Sequence, residues 1–461
     1  MKTESVWNTY DEAALTALDA LNDNYRSFIS RCKTERECVA EAIAMAEAKG
    51  YENLEIIVAE GKTLQPGDKV YAAHMGKLLA LYHIGSAPLE QGMNILGAHV
   101  DSPRLDVKFN PLYENHELAY LDTHYYGGVK KYQWVCLPMA IHGVVVKKDG
   151  TTINIVIGED PADPVVGITE LLIHLSADMM QKKASEVIQG EDLDVLVGGR
   201  PVAGAEKDQV KAGILAILKE KYEIEEADFM SAELEIVPAG PARDAGIDRS
   251  MIMGYGQDDR VCAYTSLEAI LEMEGIPGRT AVCLLTDKEE VGSNGATGMH
   301  SAFFLNATAE LIDRVGGYSE LALRRTLQHS CMLSSDVSAG YDPLYASAYQ
   351  ESHAAFLGHG ICFNKYTGSR GKSGSNDANA EYIAKIRKIM DDNQVAFQFC
   401  ELGKVDQGGG GTIAYILANY GMEVIDCGVA VLSMHAPWET TSKADIYEAK
   451  KAYVAFLKDC R

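Results

Sequence analysis

Residues 279–298, RTAVCLLTDKEEVGSNGATG, constrain the fold more than any other stretch of the chain. Residues 281–285 form a short apolar run of the kind that fills a buried strand. The run ends in Thr286-Asp287-Lys288, and two carboxylates, Glu289 and Glu290, then stand side by side before Gly292. A strand that breaks into acidic residues and a glycine turn at its C-terminal end is where an open α/β sheet places its chemistry. An isolated Glu-Glu pair is more often a solvated acidic loop, because glutamates are mostly exposed. The choice rests on what the rest of the chain supplies.

The chain is 461 residues long, which exceeds one ordinary core and points to two or three domains. A formal net charge of -24 argues against nucleic-acid binding, which needs a basic footprint to displace counterions. Ten cysteines occur without a Cys-x-x-Cys pair, so neither a thiolate zinc site nor a disulfide framework is indicated. Residues 1–9 hold no basic-then-apolar signal, and no apolar run approaches the ~18 residues of a membrane span. The expectation is a cytoplasmic protein with no membrane partner.

Helical spacing of apolar residues predicts helices over 6–32 and 34–49, the second opened by a Thr34/Glu37 capping box and stopped at Gly50. Residues 70–84 alternate as strands with a turn at Gly76. In the stretch 93–107, MNILGAHVDSPRLDV, residues 95–98 read as a buried strand that delivers His99 and Asp101 at its end. Residues i and i+2 of an extended chain point the same way. One His can then bind a metal while the neighbouring Asp orients its ring. The helical His-Glu-x-x-His motif is absent, since Tyr120 stands where the second His would fall after His116-Glu117.

Between residues 106 and 249 the texture becomes Tyr- and Val-rich with Gly at the expected turns, and a helix is predicted only over 208–222. This β-rich stretch reads as an insertion, an oligomerisation domain or a lid, into a discontinuous α/β domain formed by 1–105 and 250–461. His174 lies in its apolar run 171–175, where a core histidine is the ordinary reading. The helical pattern of 261–273 follows Asp258-Asp259-Arg260. The two Asp residues are either acids favoured by the helix dipole at a first turn or metal ligands held at the start of a rigid element. Further strands are predicted over 331–335, ending in Asp336, over 395–402, and over 422–434, ending in His435-Ala436-Pro437. The loop 364–376 carries Lys365, Arg370 and Lys372, and the glycines 408–411 precede a predicted helix over 412–419.

His99, Asp258, Glu289-Glu290, Asp336 and His435 all stand at edges of predicted elements, and most follow strands that can share one rim of a twisted sheet. Imidazole and carboxylate without thiolate suit catalytic Zn²⁺, with Mn²⁺ or Co²⁺ as substitutes. Asp258, Glu290, Asp336 and a hydroxide bring four negative charges, which two divalent ions balance and one does not. Two ions bridged by a carboxylate are therefore expected, with Glu289 left as general base. Metal-assisted amide hydrolysis is the reaction class that fits.

The order of these residues is similar to that of the co-catalytic zinc aminopeptidases. The motifs GAHVDSPRLDVK, TDKEEVGS, SSD and SMHAPWET resemble, over nearly the whole chain, the aminopeptidase I/aspartyl aminopeptidase family, metallopeptidase family eighteen. The resemblance implies an open twisted mixed sheet flanked by helices. One ion would be held by His99, Asp258 and Asp336, the other by Asp258, Glu290 and His435. Asp258 would bridge, Glu289 would act as acid/base and Asp101 would orient His99. It further implies that the insertion is a dimerisation domain lending His174 to a neighbouring subunit, within a tetrahedral dodecamer of dimers that admits peptides and excludes folded proteins. The family divides between acidic and neutral N-terminal residues, and Lys365, Arg370 and Lys372 would favour Asp or Glu. The rival enzyme is a dimetal deacylase or carboxypeptidase, which needs a cation for the substrate carboxylate. The rival from another class is a non-catalytic assembly or cargo protein.

Overall fold

The computed structural model describes residues 4–461. The described residues form two compact units, one that runs up to residue 101 and takes in 242–434 and 439–461, the other of residues 102–241 and 435–438.

The first unit is built on a nine-stranded mixed sheet. Four parallel strands form its centre: β1 (Asn94–His99), β2 (Ala281–Thr286), β3 (Cys331–Ser335) and β4 (Glu423–Gly428), in the spatial order β2-β1-β3-β4. Lys69–His74 and Leu78–His83 extend it antiparallel on the β2 side, and Glu52–Asn53 adds a short edge. Ile361–Asn364 and Phe397–Phe399 close the other side. The central strands read as continuous apolar runs because both faces are covered. Leu96, Ala98, Cys283 and Leu285 face one core, while Ile95, Val282 and Leu284 face the other. The first core is closed by Glu35–Ala48, α1 (Gln257–Leu271), Ala380–Asp392 and α2 (Lys443–Asp459). The second is closed by Phe303–Gly316, Glu320–Gln328 and Ala414–Ala418. The Thr34/Glu37 capping box forms as its spacing predicts.

Three elements depart from the sequence expectation. Residues 422–434 are not one strand. Gly428 ends β4 at a point where a Cβ would lie 2.0 Å from the carbonyl oxygen of Asp336, and the chain crosses into a second sheet as Ala430–Leu432. That five-stranded sheet also takes in Ser338–Ala339, β5 (Glu439–Ser442), Met251–Gly254 and Arg243–Ala245. The strand predicted over 395–402 shrinks to Phe397–Phe399. The helix predicted over 412–419 shrinks to Ala414–Ala418, so the glycines 408–411 do not lead directly into it.

The second unit is a six-stranded antiparallel sheet in the order Thr152–Ile157, Met139–Val146, Ala232–Pro238, Arg104–Asn115, Leu118–Tyr126, Val195–Gly198. The helix Gln209–Tyr222 accompanies it. The run around His174 is not core. His174 is exposed, as are Leu171, Leu172, Ile173 and Leu175 in an irregular segment. Among the described residues no helix is long and apolar enough to cross a membrane.

Candidate active site

The C-terminal ends of β1, β2 and β3 carry the first group of candidate side chains. His99 is the last residue of β1 and is fully buried. Its Nδ1 lies 3.0 Å from the carbonyl oxygen and 3.3 Å from Oδ1 of Asp101, which turns Nε2 outward to within 3.3 Å of Asp258 Oδ1. A carboxylate set behind an imidazole in this way fixes ring orientation and tautomer together.

Asp101 does a second job. Beyond β2 the chain turns through Lys288 at φ 69° into the 3₁₀ turn Glu289–Val291 and leaves through Gly292 at φ 94°. The backbone N–H groups of Glu289 and Glu290 donate to Asp101 Oδ1 at 3.1 Å and Oδ2 at 3.2 Å. One buried carboxylate therefore holds the imidazole of β1 and the paired glutamates of β2. Asp287 braces the same turn, accepting from Thr297 Oγ1 at 2.6 Å and the Lys288 N–H at 2.8 Å. Burial, with the charges of Glu35 and Asp101, pushes Asp287 up to about 6.

Asp258 and Asp259 open α1, but neither has helical dihedrals, at φ/ψ -82/106° and -115/24°. The helix-dipole explanation therefore does not apply to them as residues of a regular first turn. Both are buried. The Asp258 N–H donates to Glu439 Oε2 at 3.0 Å, Asp259 Oδ2 accepts the His99 N–H at 3.3 Å, and Arg260 Nε donates to the carbonyl of Val100 at 3.0 Å. Asp336 follows β3 and is fixed by its N–H to the Cys427 carbonyl at 2.7 Å.

These residues come together. Ligand atoms of His99, Asp258 and Asp336 lie within 4.8 Å of one another, as do those of His99, Glu289 and Glu290. Burial, followed by the charges of neighbouring carboxylates, drives Asp336 well above the ordinary carboxylate range; burial, partly offset by His99, does the same for Asp259. Burial would lower His99, yet the carboxylates of Asp101 and Asp258 outweigh it and raise the imidazole well above its usual value. Such crowding of buried acid groups calls for positive charge in their midst, and a nitrogen–oxygen donor set of this composition fits a divalent cation such as zinc.

Glu439 is the residue in contact with the candidate site that the sequence reading does not single out. It is buried in β5, four residues past His435, and besides holding Asp258 its carbonyl accepts from Gln257 Nε2 at 2.6 Å. His435 belongs to the second unit, where it takes a left-handed φ of 65° and sets Nδ1 3.0 Å from the carbonyl of Gly128. Lys365, Arg370 and Lys372 are exposed in their loop. Lys372 is committed locally, 2.9 Å from Asp377 and 3.8 Å from the centre of the Tyr366 ring.

A sequence model described as aminopeptidase I zinc metalloprotease (M18) matches residues 28–457. The chain belongs to the M18 family of aminopeptidases. It is 61% identical over 457 residues to a probable M18 family aminopeptidase 1 of Clostridium acetobutylicum, covering 99% of this chain and 98% of that one. Among solved structures it is similar to the M18 aminopeptidase of Thermotoga maritima, with TM-score 0.94, 42% identity and 99% of each chain covered. Aminopeptidase I of Clostridium acetobutylicum gives TM-score 0.93, 59% identity and full coverage of both chains. A Saccharomyces structure described as a dodecamer, at 19% identity, TM-score 0.76 and 96% and 97% coverage, shares the fold. The M18 chain is accordingly a metallo-exopeptidase, a hydrolase acting at N-termini, and the family description names zinc as its metal.

Proposed function

We propose that this aminopeptidase works with two divalent ions, zinc in the native enzyme and Mn²⁺ or Co²⁺ as competent substitutes. His99, Asp258 and Asp336 would hold one, and Asp258, Glu290 and His435 the other, with Asp258 shared. When bound, the ions supply Lewis acidity to the scissile carbonyl and to the attacking water. Glu289 takes the proton of that water and passes it to the departing amine nitrogen, so one carboxylate serves as base and then as acid. Asp101 keeps His99 aligned while anchoring the Glu289 and Glu290 backbone. The observation that most supports this reading is that double anchorage by the Asp101 carboxylate, at 3.3 Å to the His99 ring and at 3.1 and 3.2 Å to the two glutamate amides. The test is Glu289→Gln, which should retain both metals and lose most turnover. Wild-type activity in that variant would remove Glu289 from the proton path.

The substrate is a peptide with a free N-terminus, and the preferred first residue is acidic. With Lys372 held by Asp377 and Tyr366, the exposed Lys365 and Arg370 are the cations that would receive an Asp or Glu side chain. Cleavage of Asp-, Glu- and Leu-anilides compares the alternatives directly, and a strong Leu preference defeats the cationic-loop assignment. An N-terminally blocked peptide should resist this enzyme and yield to a deacylase.

The functional form is a homo-oligomer, with a dodecamer of dimers as the expected assembly. The exposed apolar run Leu171, Leu172, Ile173 and Leu175 supports a buried interface there, with His174 reaching a neighbouring subunit's site. His174→Phe should then impair catalysis with metal content intact. Mixing it with Glu289→Gln protein should restore activity after subunit exchange. Ten cysteines carried as thiols suit a reducing compartment such as the cytoplasm.

A further inference from the structure

Far from the ligand-bearing rim, at the opposite end of β3, a sulfur atom sits between two cations. Cys331 opens β3, five residues before Asp336, or roughly 16 Å along the strand at ~3.3 Å per residue. Its Sγ lies 3.8 Å from Arg279 Nη1 and 3.9 Å from Lys385 Nζ. Both cations are fixed by main-chain carbonyls, Arg279 by His329 at 3.3 Å and Lys385 by Arg461 at 2.9 Å.

The main chain of a second cysteine is brought to the same place by independent contacts. Asn94 pairs in register with Cys331 across β1 and β3, and Asn94 Nδ2 donates to the carbonyls of Cys460 at 2.8 Å and Leu457 at 3.2 Å. Lys385 spans the two, touching the sulfur of Cys331 and the carbonyl of the residue after Cys460. The hydrogen bond from the Cys460 thiol lowers Cys331 most. Burial opposes it, the two cations add to it, and together they bring Cys331 down to about 6. Cys460 moves the other way, raised first by that hydrogen bond and then by burial. Both thiols are buried, so a small peroxide is the oxidant to consider, and a thiolate-forming sulfur in an electropositive setting beside a resolving thiol is what it would oxidise.

The pair Cys362 and Cys400 offers an internal contrast. It is equally buried and the Cys362 thiol likewise lowers Cys400, yet the further groups hydrogen-bonded to Cys400 Sγ are the neutral oxygens of Ser338 and Asn364, both at 3.6 Å, where Cys331 has two cations.

We propose that Cys331 and Cys460 form a hydroperoxide-reactive modification site whose product is a disulfide joining the end of α2 to the start of β3. The Cys331 thiolate attacks the peroxide, forming an S–O bond as the O–O bond breaks, and the released oxygen leaves as water once protonated. The Cys460 sulfur then attacks the sulfenic sulfur, forming the S–S bond, and a second water departs. Two thiols lose two electrons and one hydroperoxide gains them. The peroxide is the oxidant throughout.

The test treats the intact zinc-loaded enzyme with hydrogen peroxide at neutral pH, followed by digestion without reductant and mass spectrometry. The expected product is a cross-linked Cys331–Cys460 peptide, two hydrogens lighter than its parts. It should appear about tenfold faster than oxidation of the exposed Cys136, and no Cys362–Cys400 cross-link should accompany it. In Cys460→Ser the same treatment should leave Cys331 as a sulfenic acid trapped by dimedone, with Cys460→Ala as the alternative if the serine variant misfolds. Neutralising the cations with Arg279→Gln and Lys385→Gln should slow cross-linking about tenfold. Oxidation of Cys136 with Cys331 and Cys460 still unlinked would overturn the proposal. So would a cross-linking rate indifferent to both cations.

Discussion

Asp101→Asn changes one oxygen to an NH₂ group and almost nothing else, so its consequences can be worked from the contacts. Both carboxylate oxygens are in use: Oδ1 accepts the Glu289 N–H and faces the His99 ring, and Oδ2 accepts the Glu290 N–H. An amide offers one acceptor where the carboxylate offered two. Whichever way the new side chain turns, one backbone donor then meets an NH₂ group in a site where Asp101 is fully buried. An orphaned buried donor costs about 1–3 kcal/mol, and the charge-assisted hydrogen bond that remains becomes a neutral one. A combined loss of ~2–4 kcal/mol corresponds to roughly 30- to 1000-fold, at about 1.4 kcal/mol per decade. Because the same residue serves His99 and the Glu289 turn, the loss should appear in two assays. Steady-state turnover of an N-terminal anilide should fall within that range, and competition against a chelator should show weaker zinc binding, by ~10–100-fold. A variant whose turnover and zinc affinity both stay within about threefold of wild type would refute the double-anchor reasoning, provided its melting temperature shows it folded.

Glu439→Ala removes the acceptor of the Asp258 N–H and should weaken zinc binding by about ten- to a hundredfold, whereas Glu439→Gln keeps an oxygen there and should recover most of it; equal behaviour of the two variants would contradict the positioning role. Dialysis against a strong chelator should abolish activity and lower the melting temperature, because Asp258, Asp259 and Asp336 are left crowded without a counter-charge, and Zn²⁺, Mn²⁺ or Co²⁺ should restore both; full activity in metal-free protein would contradict the two-ion scheme. Away from the site, Asp445 is buried at the start of α2 and accepts the N–H groups of Gly358 and Gly360, yet burial pushes it up to about 7. A carboxyl whose folded value is raised contributes stability that is complete below its unfolded value of about 4 and is lost as pH rises through about 7, for a total of up to ~4 kcal/mol. Denaturant titrations should therefore show wild type losing stability across that window and Asp445→Asn losing less; parallel pH profiles would count against the assignment.

The centre of the main sheet was legible in β1 and β2, which are buried on both faces and read as apolar runs that end where the chain turns polar, at Ala98 to His99 and Leu285 to Thr286, whereas β3 turns polar at Ser334 and β4 carries Asp426 within it. The same rule points to the candidate site, since His99, the Glu289-Glu290 pair and Asp336 all stand at or just beyond the ends of these strands. The smaller sheet escaped for the converse reason. Its strands are two to four residues long and include Arg243–Ala245 and Glu439–Ser442, compositions that look like loops. Their burial depends on partners far along the chain, and Glu439 meets Asp258 across 181 positions. No local periodicity records such a pairing. It follows that the residues holding the functional ones in place are harder to read than the functional ones themselves. His99 and Glu289 reveal themselves by chemistry at a strand's end, but Glu439 is identifiable only once the folded chain shows which amide its carboxylate receives. Asp101 sits between these cases. Its spacing from His99 disclosed one role, and only the turn brought over from β2 discloses the other.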